Sequence, residues 1–158
     1  IFGQMAAEDR AELAALASKH EDNYGVAVFY GSRANNLTEG YWIGSTAQVM
    51  EGKGGDYRKA WEAWIKPVYD KLLADGTIVG YSLSRQHYHT ERPGLMTTWY
   101  AIADMSMDEK VDAAFEAAWG GLDEIEGKAR QALFREMIKA GSHRDQMNRI
   151  VHLQTKAK

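Results

Sequence analysis

From residue 41 onward the apolar positions switch between period two and steps of three and four, and each switch marks a new element. Residues 41–50 (YWIGSTAQVM) read as a strand that stops at the turn Glu51-Gly52-Lys53-Gly54-Gly55. Asp56 is the expected N-cap of a helix running to about residue 74, with Tyr57, Trp61, Trp64, Ile65, Val68 and Leu72 on one wide apolar stripe. Pro67 falls inside that helix, where it deletes a donor and predicts a bend, and Gly76 supplies the stop. Residues 77–83 place Thr77, Val79, Tyr81 and Leu83 on one face of a strand. A polar loop over 84–94 leads to a strand over 95–103. Ser106-Met107-Asp108-Glu109 has the capping-box pattern and opens a helix with Val111, Ala114, Phe115 and Ala118 inward. Gly120-Gly121 breaks it, and Leu122, Ile125, Ala129, Leu133, Met137 and Ala140 define a further helix closed by Gly141. Residues 147–155 alternate as a last strand.

The first 40 residues are less regular. Strong helix formers over 6–20 predict a short helix with a thin apolar stripe, residues 24–30 read as a short strand, and 32–40 are turn chemistry. Residues 1–40 are therefore expected to form an arm packed on a domain over 41–158. The order in that domain is strand, helix, strand, strand, broken helix, strand. This is the split βαβ, ferredoxin-like plan: an α+β fold whose four-stranded antiparallel sheet has helices on one face. The other face is expected to carry Trp42, Val79, Tyr81, Leu83, Trp99 and Ile102, too apolar for solvent, so a sheet-to-sheet homodimer is expected.

Two segments, AQVMEGKGGDYRKAWEAWIKPVYDKLLADGTIVGY and SHRDQMNRIVHLQ, make residues 41–155 resemble the dimeric α+β barrel superfamily, most of all its uncharacterised bacterial members. The superfamily includes cofactor-free quinone-forming monooxygenases, small-molecule isomerases and haem proteins such as chlorite-dismutase-like enzymes. The resemblance thus implies a dimeric barrel and leaves the chemistry open.

Composition narrows the choice. The chain has 158 residues, 45% hydrophobic and 26% charged, the proportions of a soluble globular protein with a sizeable core. A net charge of -3 and a pI near 6.0 argue against a nucleic-acid partner. No apolar run approaches the roughly 20 residues that span a bilayer, so no membrane role is expected. The absence of cysteine removes disulfides, thiolate catalysis and cysteine-ligated metals. The start, Ile1-Phe2-Gly3-Gln4-Met5, shows no signal-peptide pattern, and both a cytoplasmic location and export after cleavage stay open.

Among the five histidines, the expected topology gathers His87, His89, Glu91, Glu51, His143 and Asp145 around one end of the sheet. His-x-His beside a carboxylate can ligate a divalent metal, but solvated histidines in a polar loop are the favoured reading, and no metal is assigned. His143-Arg144-Asp145 matches a kinase catalytic triplet without any other kinase part; its expected role is structural, beside a helix C-terminus. The Gly-rich turn at 51–55 lacks the ending of a phosphate cradle. His152 is the lone strand histidine, flanked on its face by Asn148 and Gln154, which argues against haem. The leading expectation is a protein that binds a small aromatic or enolic molecule between sheet and helices, as an oxygenase or isomerase without a cofactor. His87, His89 and His152 are its candidate catalytic groups, and Tyr81, Trp99 and Glu91 its candidate ligand contacts. The contrasting expectation is a non-catalytic dimerising module with no small-molecule site.

Overall fold

The computed structural model describes residues 6, 25–87 and 93–157. The helix expected over 6–20 therefore lies, apart from Ala6, outside the described residues, as do His89 and Glu91 of the loop.

The strands are β1 (Gly25–Ser32), β2 (Asn35–Leu37), β3 (Gly40–Gln48), β4 (Gly80–Gln86), β5 (Leu95–Ile102), β6 (Arg144–Ile150) and β7 (Leu153–Thr155), with β-branched and aromatic residues concentrated in β1, β3 and β5. The main sheet is antiparallel in the order β1-β4-β5-β3-β6. Its last four members keep the strand order of the split βαβ plan. The expected four-stranded sheet is corrected to five strands, because residues 25–32 pair along β4 from Gly25↔Gln86 to Ser32↔Gly80 and take up its edge.

The helices are α1 (Gly54–Ala60), α2 (Lys66–Asp75), α3 (Ser106–Gly120) and α4 (Glu124–Met137), with a π turn, Trp61–Ile65, joining α1 to α2. The π turn is how the chain accommodates Pro67. Proline has no N–H for the carbonyl of Ala63 and its ring crowds that carbonyl, so the ladder widens ahead of it and α2 restarts with proline in its first turn. Gly76, at φ +87°, ends α2 as the sequence indicates. Two starts differ from expectation. Asp56 lies in the first turn of α1, behind an N-cap at Lys53. At α3, Asp104 accepts the Ser106 N–H at 2.8 Å, so an upstream aspartate does the work expected of a capping box. Asp123 caps α4 in the standard way, accepting from the Glu126 N–H at 2.8 Å.

Tyr81, Leu83 and Ile102, expected on the uncovered face, are instead fully buried against the helices with Trp61, Tyr69 and Leu72. Period two tells which residues share a face but not which face the helices take. Val79 precedes the start of β4 and falls on the other side, in a second cluster with Ala101, Ile150, Trp42 and Trp99. The expected last strand is likewise two strands. After β6 the chain breaks at Val151-His152, and β7 pairs with β2 as a separate ribbon. Leu37 and Leu153 of that ribbon cover the second cluster, the Ser32 hydroxyl donates to the Lys156 carbonyl, and Thr155 Oγ1 donates to the Arg33 carbonyl.

Trp61 is 1% exposed and central to the helix-side core. Replacing it with alanine is expected to lower stability by about 3–5 kcal/mol, read as a lower urea midpoint at unchanged slope. A midpoint within error of the unsubstituted protein would show that the core does not depend on this ring.

Candidate functional site

The space between sheet and helices is filled by rings. Trp61 stacks on Phe29 at 5.5 Å and on Tyr69 at 6.0 Å, and its indole N–H donates to Thr98 Oγ1 at 2.9 Å. Tyr69 stacks on Tyr81 at 5.3 Å and meets Phe115 edge-on at 5.2 Å. Tyr81 Oη donates to Asp70, which also accepts from Lys66 Nζ at 2.6 Å, and Tyr100 Oη donates to Asp108. Burial, then the adjoining carboxylate, holds the Tyr81 and Tyr100 phenols well above the ordinary range, and burial does the same for Tyr69. Tyr81, a candidate ligand contact, therefore has its hydroxyl engaged and its ring enclosed, on the far side of the sheet from the open basin.

That basin lies on the opposite face, beyond the β2–β7 ribbon. It has a volume of about 610 Å³ and opens to solvent. Trp42 and Trp99 stand beside it with ring centroids 6.1 Å apart and planes tilted by 31°. Gly44 makes this possible. It pairs with Trp99 across the sheet, and a Cβ there would come within 2.4 Å of the Trp42 ring, so only glycine lets that indole lie across β3. The floor is a polar carpet: Thr46 and Thr97 share a hydrogen bond of 2.9 Å, Ser84 meets Ser82 at 3.0 Å, and Gln48 reaches the Pro93 carbonyl at 2.8 Å. Arg85, Lys139 and Arg144 complete the lining, and no Asp, Glu, His or Tyr is among the described lining residues. Arg144 Nη1 donates to the carbonyls of Gly141 at 2.9 Å and His143 at 2.6 Å, which fixes the root of its guanidinium.

The candidate residues divide accordingly. Trp99 is a wall of the basin. His87 is exposed and follows the lining residue Gln86 at the end of β4. His152 is exposed between β6 and β7, at the other end of the sheet. His143 Nε2 meets Ser45 Oγ at 2.7 Å and Asp145 Oδ1 at 3.2 Å. Both partners use the same ring nitrogen, so the trio ties β6 to β3 and forms no Ser-His-Asp relay. His87 and His143 do share one sheet end, but their strands are separated by β5 and β3, about 14 Å at the usual strand spacing. No group of three or more His, Asp or Glu among the described residues is placed to hold a metal. The sequence reading missed Thr46, Thr97, Lys139 and Arg144 as site residues. The available signal was Trp42-x-Gly44, a bulky ring beside a vacancy on the same strand face.

No family model matches the chain, and no curated protein matches its sequence. Solved structures do. A monooxygenase candidate from Lactobacillus acidophilus NCFM is similar at 13% identity and TM-score 0.55, over 96% of this chain and 64% of that one. Another from Fusobacterium nucleatum is similar at 8% identity and TM-score 0.57, over 99% of this chain and 67% of that one. A NIPSNAP family protein of unknown function from Agrobacterium tumefaciens aligns at 13% identity and TM-score 0.49, over 75% of this chain and 93% of that one. At these identities the likeness is one of fold, and it agrees with the α+β class read from the sequence. Among the described residues no helix is long and apolar enough to cross a membrane.

The buried tyrosines predict a pH dependence. Their folded pKa values lie above the ordinary 10.0, so the unfolded chain releases these protons first. Stability from this source is complete below pH 10 and falls as pH rises toward the folded values. Denaturant midpoints are expected to drop above about pH 10, and less steeply in Tyr100→Phe. An equal slope in both proteins would remove Tyr100 from the linkage.

Proposed function

We propose that the chain binds a small planar aromatic or enolic molecule in the Trp42–Trp99 basin and acts on it as an oxygenase or isomerase without a bound cofactor. The observation that carries this reading is the pair of indoles set over a floor of hydrogen-bonding side chains, a lining suited to a flat ring with polar substituents. In such chemistry the substrate's own phenolate or enolate supplies the electrons, and the protein supplies orientation and a proton acceptor. We assign that role to His87, which is exposed and directly follows the lining residue Gln86. The similarity in fold to two monooxygenase candidates supports the same class. A second copy meeting this one sheet to sheet would enclose the basin, which opens to solvent in the single chain.

Oxygen consumption with a naphthol or hydroquinone is the expected activity, and Trp42→Ala or Trp99→Ala is expected to lower kcat/KM by about tenfold or more. If the unsubstituted protein neither binds nor turns over such rings yet forms a dimer, the non-catalytic dimerising module is the correct reading.

The pairing has its own test. Light scattering at micromolar concentration is expected to give the mass of two chains, and Trp99→Asp to give one, because the carboxylate would be buried unpaired. A stable dimer of the Asp variant would place the subunit contact elsewhere.

A further inference from the structure

We infer that the molecule taken by the basin is an anion: a planar ring system bearing a carboxylate or an ionised phenol. The inference rests on the reading of the basin as a small-molecule site and adds the sign of its ligand. The chain as a whole is acidic, with 22 Asp and Glu against 19 Lys and Arg. The basin inverts that balance. Arg85, Lys139 and Arg144 line it and none of its described lining residues is acidic.

Among the described residues no carboxylate pairs with these cations. Elsewhere on the surface Lys66, Lys128 and Arg130 are each paired with a carboxylate four residues away. Among the described residues neither Arg85, Lys139 nor Arg144 has an acidic partner. Asp145, the carboxylate next to Arg144, is engaged by His143 instead. The Gly141 and His143 carbonyls accept from Arg144 Nη1 and leave Nε and Nη2 for an external acceptor. A guanidinium held in this way suits the two oxygens of a carboxylate, and it offers them a charge whose positioning entropy is already met by the fold. Trp42 and Trp99 line the same basin as Arg144 and supply its apolar side. The ring would lie against Trp42 and Trp99, and its anionic end toward Arg144 and Lys139.

The experiment is calorimetric titration with 2-naphthoate and with its neutral counterpart 2-naphthamide. It uses the full chain and two variants, R144Q/K139Q and W42A/W99A, each checked for folding by circular dichroism. Naphthoate is expected to bind about tenfold more tightly than naphthamide at low salt, with the advantage shrinking as salt is raised. R144Q/K139Q is expected to remove the advantage and leave naphthamide binding unchanged, while W42A/W99A weakens both ligands. Equal binding of the two ligands to the unsubstituted protein, still sensitive to the Trp substitutions, overturns the anion inference and leaves the basin standing. No binding of either ligand, or binding indifferent to W42A/W99A, overturns the basin and the anion together.

Discussion

Trp61 sits where helix and sheet have to meet, and three kinds of contact converge on it. Its ring lies flat against Phe29 of β1, stacks on Tyr69 of α2, and anchors its N–H on Thr98 of β5. The first contact brings the outermost strand under the helices, the second joins the two halves of the long helix, and the third fixes their height above the sheet. Aromatic burial of this kind supplies much of the driving force in a chain of this size, because each ring removes a large apolar area from water. The π turn follows from the same demand. It begins at Trp61, and the extra residue it absorbs lets Trp61 on one side and Val68, Tyr69 and Leu72 on the other all face the sheet despite Pro67.

A sheet sealed so fully on one face leaves its other face for recognition. The two sides differ in kind: stacked rings with engaged hydroxyls beneath the helices, and threonines, serines and glutamines flanked by two indoles on the other. A vacancy at Gly44 allows Trp42 to lie down, and the ribbon of β2 and β7 shields the apolar end of that face around Val79, Ala101 and Ile150. The basin is what remains between the ribbon and the cationic corner at Arg144.

The sequence carries the elements clearly where periodicity is strong. The helices through Trp61 and Val111, the strands through Ile43 and Trp99, and the stop at Gly76 all fall where their patterns put them. It also carries the α+β class. What it does not carry are relations between distant segments. Nothing local in residues 25–32 says that they will edge β4, and alternation in TIVGYSL cannot reveal that Tyr81 and Leu83 face the helices while Val79 faces away. The site was legible only in part for the same reason. Trp99 was visible as a large ring on a strand, whereas Arg144 joins it only through the register that sets Thr46 against both Thr97 and Arg144, and Lys139 only through its N–H on the Gln48 carbonyl. The histidines drew attention by type, and the fold spreads the described His87, His143 and His152 along rims.

The β2–β7 ribbon carries a consequence for how the chain is made. Asn35 pairs with Thr155, and Ser32 bonds to Lys156, a separation of 124 residues. Contacts that distant close last, since the loop entropy must be met before they return any stability. On the ribosome, β1 to β5 and the first helices can assemble while β7 is still unsynthesised. Until it emerges, Val79 and Ala101 stay uncovered beside the two indoles, and until β6 is made just before it, β3 is open along one edge. That interval of exposed edge and apolar surface is when a nascent chain is open to mispairing with its neighbours or to capture by a chaperone.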